Sequence, residues 1–411
     1  MVVDTWRFGM PANAEDGAPG GAAPLAGLVV VSFEQAVAAP YCTRLLADLG
    51  ARVIKVERPH TGDFARDYDT EVNGMATHFV WLNRNKESMV VDFKAPGSDA
   101  VLEALLDRAD VVVQNLAPGV ASGLGIDAAT VVRRRPSVVA VDISGYGTGG
   151  PLDDRRAYDL LVQAEAGSCA MTGTADAPAK PGIPIADVGA GLQAAVAVLA
   201  ALNGRHGSGR GVAIRTSLFD SVADLLGFGL LHAAYTGAER PPNGLSSPVV
   251  SPYGAYPTRD GRTVVLGTTN DAEWQRLSKI LLGRPDLAAD LRYASNPQRC
   301  EHRPTLDAHI GAWTRTLDLA EICARADAAG IGNAEFHRVR EVVDHPQLVE
   351  RGRWREVDSP VGPVRSLLPA FIGAGWPDLL NPVPGLGEHT AAIRAELGLS
   401  ESGSAASAAD A

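Results

Sequence analysis

The sequence predicts an α/β protein: a large domain with a doubly wound parallel sheet, joined to a second, smaller α/β domain. Three observations carry this expectation. From residue 27, short apolar runs alternate with amphipathic stretches, the pattern of parallel strands linked by crossover helices. A Pro/Gly/Ser-rich run, Gly237 to Pro248, then breaks the pattern. The 411 residues also exceed what one hydrophobic core ordinarily serves.

Taken in order, residues 1–24 are rich in Ala, Gly and Pro and read as a loose arm, without the basic start and apolar core of a leader. Strands are expected at Leu28 to Phe33, Arg52 to Glu57, Ser88 to Phe93, Asp110 to Gln114 and Ser137 to Ile143. Between them, Tyr41 to Leu49 is a helix ended by Gly50, and Ser98 to Arg108 repeats Val101, Leu102, Leu105 and Leu106 at helical spacing. No GxGxxG follows the first strand, so the Rossmann-like pattern arrives without the dinucleotide fingerprint. Further helices are expected at Val188 to Leu202 and Ser217 to Tyr235. Beyond the break, Thr258-Arg-Asp-Gly261 joins two short strands as a hairpin, and helices follow at Glu273 to Leu282 and Leu317 to Ala329. A strand at Trp354 to Val357 and a helix at Thr390 to Leu397 complete the pattern. The expected division is a large domain over 25–236, a linker or active-site loop over 237–250, a small domain over 251–325, a return to the large domain over 326–399 and a tail over 400–411.

Composition excludes several classes of function. A formal net charge of −11 leaves no basic footprint for nucleic acid or an anionic membrane, although a local basic pocket is compatible with it. The four cysteines form no CxxC pair and the nine histidines no metal-binding motif, which points to a reducing, cytoplasmic setting and no metal site. The longest apolar runs, such as Ala194 to Leu202, are shorter than a bilayer requires.

The segment from Gly182 to Gln193 sets one carboxylate, Asp187, among glycines before an apolar helix. As an N-cap, Asp187 is ordinary; as a nucleophile, it is held by a rigid element, with Gly189 and Gly191 allowing close approach of a ligand to backbone amides. Residues alone leave both readings open.

Four segments together resemble the class III CoA-transferases, the family that includes formyl-CoA:oxalate and carnitine CoA-transferases and the 2-methylacyl-CoA racemases. They are Ala39 to Pro59, Asn83 to Lys94, Asp110 to Gly119 and Gly204 to Gly211. The resemblance spans about residues 27–397. It implies that Asp187 attacks an acyl-CoA thioester to give an aspartyl mixed anhydride and then an aspartyl-CoA thioester, with acyl-CoA and a free carboxylic acid as substrates and no separate cofactor. For CoA it implies contacts from Val37 and Ala38 after the first strand, Arg58 at the end of the second, Val91 in the third and Lys94 just after it, and Asn115 and Leu116 after the fourth. A family arginine is replaced by Gly123. Tyr158 stands where the racemases carry a histidine, and a phenol with an ordinary pKa of about 10 is a poor proton shuttle at neutral pH. It is expected to position the acyl group, and transfer is favoured over racemisation or epimerisation. A third reading is a CoA-binding protein without turnover. Arg44, Arg66 and the loop 243–247 are candidates to bind a second carboxylate, succinate being one guess. The family path further implies two open rings interlocked as a homodimer, with 237–248 and 342–353 as its linkers.

Overall fold

The computed structural model describes residues 21–371 and 373–399. Most of the expected arm and the whole expected tail lie outside these. Six strands, β1 (Val29–Phe33), β2 (Arg52–Glu57), β3 (Lys86–Val90), β4 (Val111–Gln114), β5 (Val139–Ser144) and β6 (Ala213–Ser217), form one sheet in the order β3-β2-β1-β4-β5-β6. The pairings β1–β2, β1–β4, β2–β3 and β4–β5 are all parallel, with Val31 opposite Ile54 on one side and Val112 on the other. Runs of Val and Ile fit such a sheet because its strands are covered on both faces. The order reverses between β1 and β4, so their carboxyl ends flank the crevice in which open α/β sheets bind ligands. One core joins Val31, Ile54, Val56, Met89 and Val112 to Leu102, Leu105 and Leu106 of the helix Ser98–Arg108 and to Ile393 of the last helix, Thr390–Glu396.

The chain divides into two compact units. Of the described residues, the first comprises those up to 144, 190–216 and those from 354 onward, and the second 145–189 and 217–353. This grouping differs from the expected one: 145–189 and 217–236 go with the second unit, and the return begins at 354, not 326. The second unit holds an antiparallel sheet of β7 (Tyr253–Pro257), β8 (Thr263–Gly267) and β9 (Gly332–Glu335), in the order β9-β8-β7. Its core gathers Val264, Leu266, Trp274, Tyr293, Leu306, Ile310 and Ile322. A further hairpin, β10 (Trp354–Val357) and β11 (Val364–Leu367), belongs to the first unit.

Two expectations change here. The stretch 237–250 is not a free linker: Gly244 N donates to Gly173 O at 2.7 Å, Ser247 N to Tyr253 O at 2.9 Å and Arg303 Nη2 to Ser247 O at 2.7 Å, all within the second unit. The apolar helix begins at Ile185 and runs 24 residues to Ser208, long enough to cross a bilayer, although its apolar run alone is shorter. Ala186, Ala190, Ala194, Val198 and Leu202 along it are buried in protein, as in a core helix.

Candidate active site

Asp187 lies in the first turn of the helix Ile185–Ser208, not before it. The capping role expected of it falls to Asp159. Asp159 Oδ1 accepts from Ala186 N at 3.0 Å and Asp187 N at 3.4 Å, while Gln163 Nε2 donates to Oδ2 at 2.7 Å. Gln163 is itself fully buried, and Ser168 Oγ donates to its main-chain oxygen at 3.2 Å. The helix start thus takes an acceptor from a distant segment, which leaves its first-turn amides served without the Asp187 carboxylate. Part of Asp187 reaches the surface, yet burial pushes its carboxyl up to about 7, and the Asp159 carboxylate beside it adds to the rise.

The glycines do other work than expected. Both lie inside the helix, where amides are spent on the helical ladder and do not face an anion. A Cβ on Gly189 would stand 3.0 Å from Leu225 Cδ1, and one on Gly191 would stand 2.4 Å from Ala38 O and 3.3 Å from Cys42 N. These positions admit neighbouring helices, Leu218–Leu225 and Ala38–Asp48 respectively. Tyr158 ends the extended segment before the helix Asp159–Glu165 and is 63% exposed, more open than the half-buried aromatic that would simply fill the fold.

The residues expected to meet CoA, Tyr158 apart, lie in the first unit, mostly at the carboxyl edge of the parallel sheet. Val37 and Ala38 begin the helix Ala38–Asp48, where the amides of Ala38 and Ala39 precede the helical ladder and Pro40 has none to leave unpaired. Arg58 is exposed, and its Nε and Nη2 donate to Gly62 O at 3.2 and 2.9 Å. Lys94 is exposed, and the Val91 side chain is 5% exposed within the core. Leu116 packs partly on the same core, and its amide is held by Gln114 Oε1 at 2.8 Å. Asn115 turns its side chain onto the backbone of Gln35. Gly123 is exposed, with nothing within 4 Å of an added Cβ.

Two expected carboxylate ligands are already engaged. Arg66 grips Glu57 through Nη2 at 2.7 Å and Nε at 2.8 Å, and its guanidinium lies 3.7 Å from the centre of the Phe79 ring. Arg44 is 8% exposed, paired with Asp48 at 3.8 Å and stacked over Tyr41 at 4.8 Å. Arg66 therefore offers no free fork, whereas Arg44 Nε is buried without a hydrogen-bond partner among the described residues. Among the described residues, no group of three His, Cys, Asp or Glu is placed to hold a metal. Asp159 and Gln163 were not identified as functional from the sequence; the only signal was an acidic residue directly after Tyr158.

The chain matches the family model described as CoA-transferase family III over residues 25–390. It is 31% identical over 388 residues to a succinyl-CoA--D-citramalate CoA-transferase of Chloroflexus aurantiacus, covering 92% of this chain and 95% of the relative. A succinate--glutarate CoA-transferase of Agrobacterium fabrum is likewise 31% identical, over 91% of this chain and 96% of that protein. Among solved structures, a CaiB/BaiF family protein from Brucella suis aligns with a TM-score of 0.78 at 32% identity, covering 91% of this chain and 99% of its own.

Proposed function

From the premise that this chain belongs to CoA-transferase family III, we propose that it moves CoA from succinyl-CoA to a second dicarboxylate, with Asp187 as the covalent nucleophile. The Asp187 carboxylate attacks the thioester carbonyl, the C–S bond breaks, and CoA leaves as thiolate. The thiolate attacks the aspartyl carbonyl of the mixed anhydride, succinate leaves, and an aspartyl-CoA thioester remains. The acceptor carboxylate then attacks this thioester and expels CoA thiolate. Finally the thiolate attacks the acceptor carbonyl, which forms the new acyl-CoA and restores Asp187.

The single observation that carries this reading is the carboxyl of Asp187, pushed up to about 7 at the start of a helix that Asp159 caps in its place. Desolvation makes a carboxylate more basic and therefore a stronger nucleophile, while enough anion remains near neutrality to react. In the first unit, the start of the helix Ala38–Asp48 suits an anionic ligand, with Arg58 and Lys94 as exposed cations for the phosphates of CoA. The dicarboxylate reading draws on the names of relatives, which include succinyl-CoA:mesaconate and succinyl-CoA:glutarate CoA-transferases. With succinyl-CoA as donor and a panel of free acids as acceptors, mass spectrometry should find new acyl-CoA from a dicarboxylate at least about tenfold faster than from monocarboxylates of equal length, the ratio one good charge-paired contact supplies. Preference for monocarboxylates, or release of free CoA alone, would overturn the substrate class.

We also propose that the protein works as an interlocked homodimer. The helix Gly227–Thr236 buries none of its residues and exposes Phe228, Leu230, Leu231 and Tyr235, and the helix Ile185–Ser208 exposes Leu192 and Val196. Apolar faces of this kind call for a covering surface. Light scattering should give twice the chain mass, and differently tagged copies should fail to mix over hours unless first denatured. A monomer, or mixing within minutes, would contradict the interlocked assembly.

A further inference from the structure

Between β1 and the helix Ala38–Asp48 the chain passes through Glu34, Gln35, Ala36 and Val37, and Ala36 has φ of 60°. A non-glycine residue there is in the sparsely populated left-handed region and stays only if its surroundings hold it. The surroundings do so through side chains. Asp63 Oδ1 accepts from Ala36 N at 2.8 Å, and Asn115 brackets the preceding residue, accepting from Gln35 N at 2.8 Å and donating to Gln35 O at 2.9 Å. The Asp63 clamp is fixed in turn. Asp63 is fully buried, and its Oδ2 meets Lys55 Nζ at 2.7 Å; Lys55 reaches on to Glu34 at 3.1 Å. Glu34 also receives Lys86 Nζ at 2.7 Å and Thr43 Oγ1 at 2.5 Å, and Lys86 donates to Pro40 O at 3.0 Å. Buried charges of both signs thus stand beneath one short turn and the first turn of the helix that follows. Nothing in the group-transfer chemistry uses them, and packing alone would be served as well by apolar side chains.

We propose that Asp63 and Asn115 are positioning residues for CoA, holding Gln35 to Ala38 in the backbone shape that meets the coenzyme, with Lys55, Glu34 and Lys86 as their buried support. The inference rests on the reading that Val37 and Ala38 contact CoA. It gives Asn115 a different task from the direct ligand contact expected of it, since both ends of its amide are spent on Gln35.

The test compares wild type with Asp63→Ala and Asn115→Ala, each alone and combined with Ala36→Gly. CoA itself is the probe in calorimetric titration, alongside amide hydrogen exchange at Gln35 and Ala36 and steady-state kinetics. If either clamp variant leaves the competent turn about one-tenth populated, Kd for CoA rises about tenfold, because apparent affinity falls with the competent fraction. KM for acyl-CoA should rise with it while kcat stays within about threefold, and exchange should quicken at Ala36 in Asp63→Ala and at Gln35 in Asn115→Ala. Adding Ala36→Gly to Asp63→Ala should recover about threefold of the affinity, since glycine takes positive φ without the Cβ clash. Weaker binding with unchanged amide protection, or lost protection with unchanged Kd, overturns the inference. Should Asp63→Ala not fold, Asn115→Ala decides by the same two readouts. Failure of wild type to bind CoA would instead overturn the CoA reading on which the inference rests.

Discussion

Asp187→Ala is expected to lower CoA transfer by about 10⁴-fold or more, since removal of a covalent nucleophile leaves no route through the acyl-enzyme. CoA binding should persist within about threefold, because the residues proposed to hold the coenzyme are in the first unit and Asp187 is in the second. Hydroxylamine added with wild type and acyl-CoA should trap Asp187 as a hydroxamate; a label elsewhere, or near-normal turnover in the variant, would sink the assignment. The pH dependence has a definite sign. Burial first and Asp159 second raise the carboxyl to about 7, so the reactive anion is lost below that pH and kcat/KM of the free enzyme should rise through it. Asp159→Asn keeps an acceptor for Ala186 N but removes the second cause, so this rise should move to lower pH. Stability runs the other way. A carboxyl whose folded pKa lies above its ordinary 3.8 contributes most below 3.8 and loses that contribution as the pH rises through about 7. Asp187→Asn should therefore be more stable than wild type above pH 7.

Lys55→Met is expected to destabilise the first unit by about 3–5 kcal/mol, the usual cost of removing one partner from a buried ion group. That is a large share of a typical domain's stability of about 5–15 kcal/mol. Lys55, Glu34 and Asp63 are each fully buried, so the variant strands the Asp63 carboxylate without its cation. Thermal and urea unfolding measure the loss; a change below about 1 kcal/mol, the scale of an exposed ion pair, would show that the group is not a cooperative unit. Acid should probe the same cluster. Burial by itself would raise the Glu34 carboxyl, but Lys55 and Lys86 together hold it down to about 2 from 4.5. Its contribution is thus complete above pH 4.5 and lost as the pH falls from there to about 2.

In the parallel sheet, strands were legible because burial on both faces demands largely apolar runs, and Arg52–Glu57 lies where the sequence places it. The third strand begins two residues earlier than expected, at Lys86, because that lysine is neutralised inside the fold and so belongs to the strand despite its charge. A lysine within an apolar run, as at Lys55, was the available signal for the buried ion group. Family resemblance supplied Asp187 as a candidate, while its local setting was misread. Local rules assign a cap to the nearest Asp, whereas here the acceptor comes from Asp159, which only the tertiary fold brings to the helix start. Gly191 was misread for the same reason: a missing side chain looks alike whether a ligand or the helix Ala38–Asp48 fills the space. The Val91 side chain followed the plain rule for a valine in an apolar run.

The first unit is assembled from three separated stretches, and its last helix places Ile393 in the same core as Val31 and Met89, with His389 N bonded to Ser88 O at 3.0 Å. This has a consequence for biosynthesis. Roughly 300 residues separate β3 from Ile393, so at about 5–20 residues per second the core of the sheet waits on the order of 15–60 s for its final helix, while the whole second unit emerges in the interval. The first unit is therefore begun before the second and completed only after it, and the apolar surface awaiting Ile393 is where a chaperone would be needed during translation.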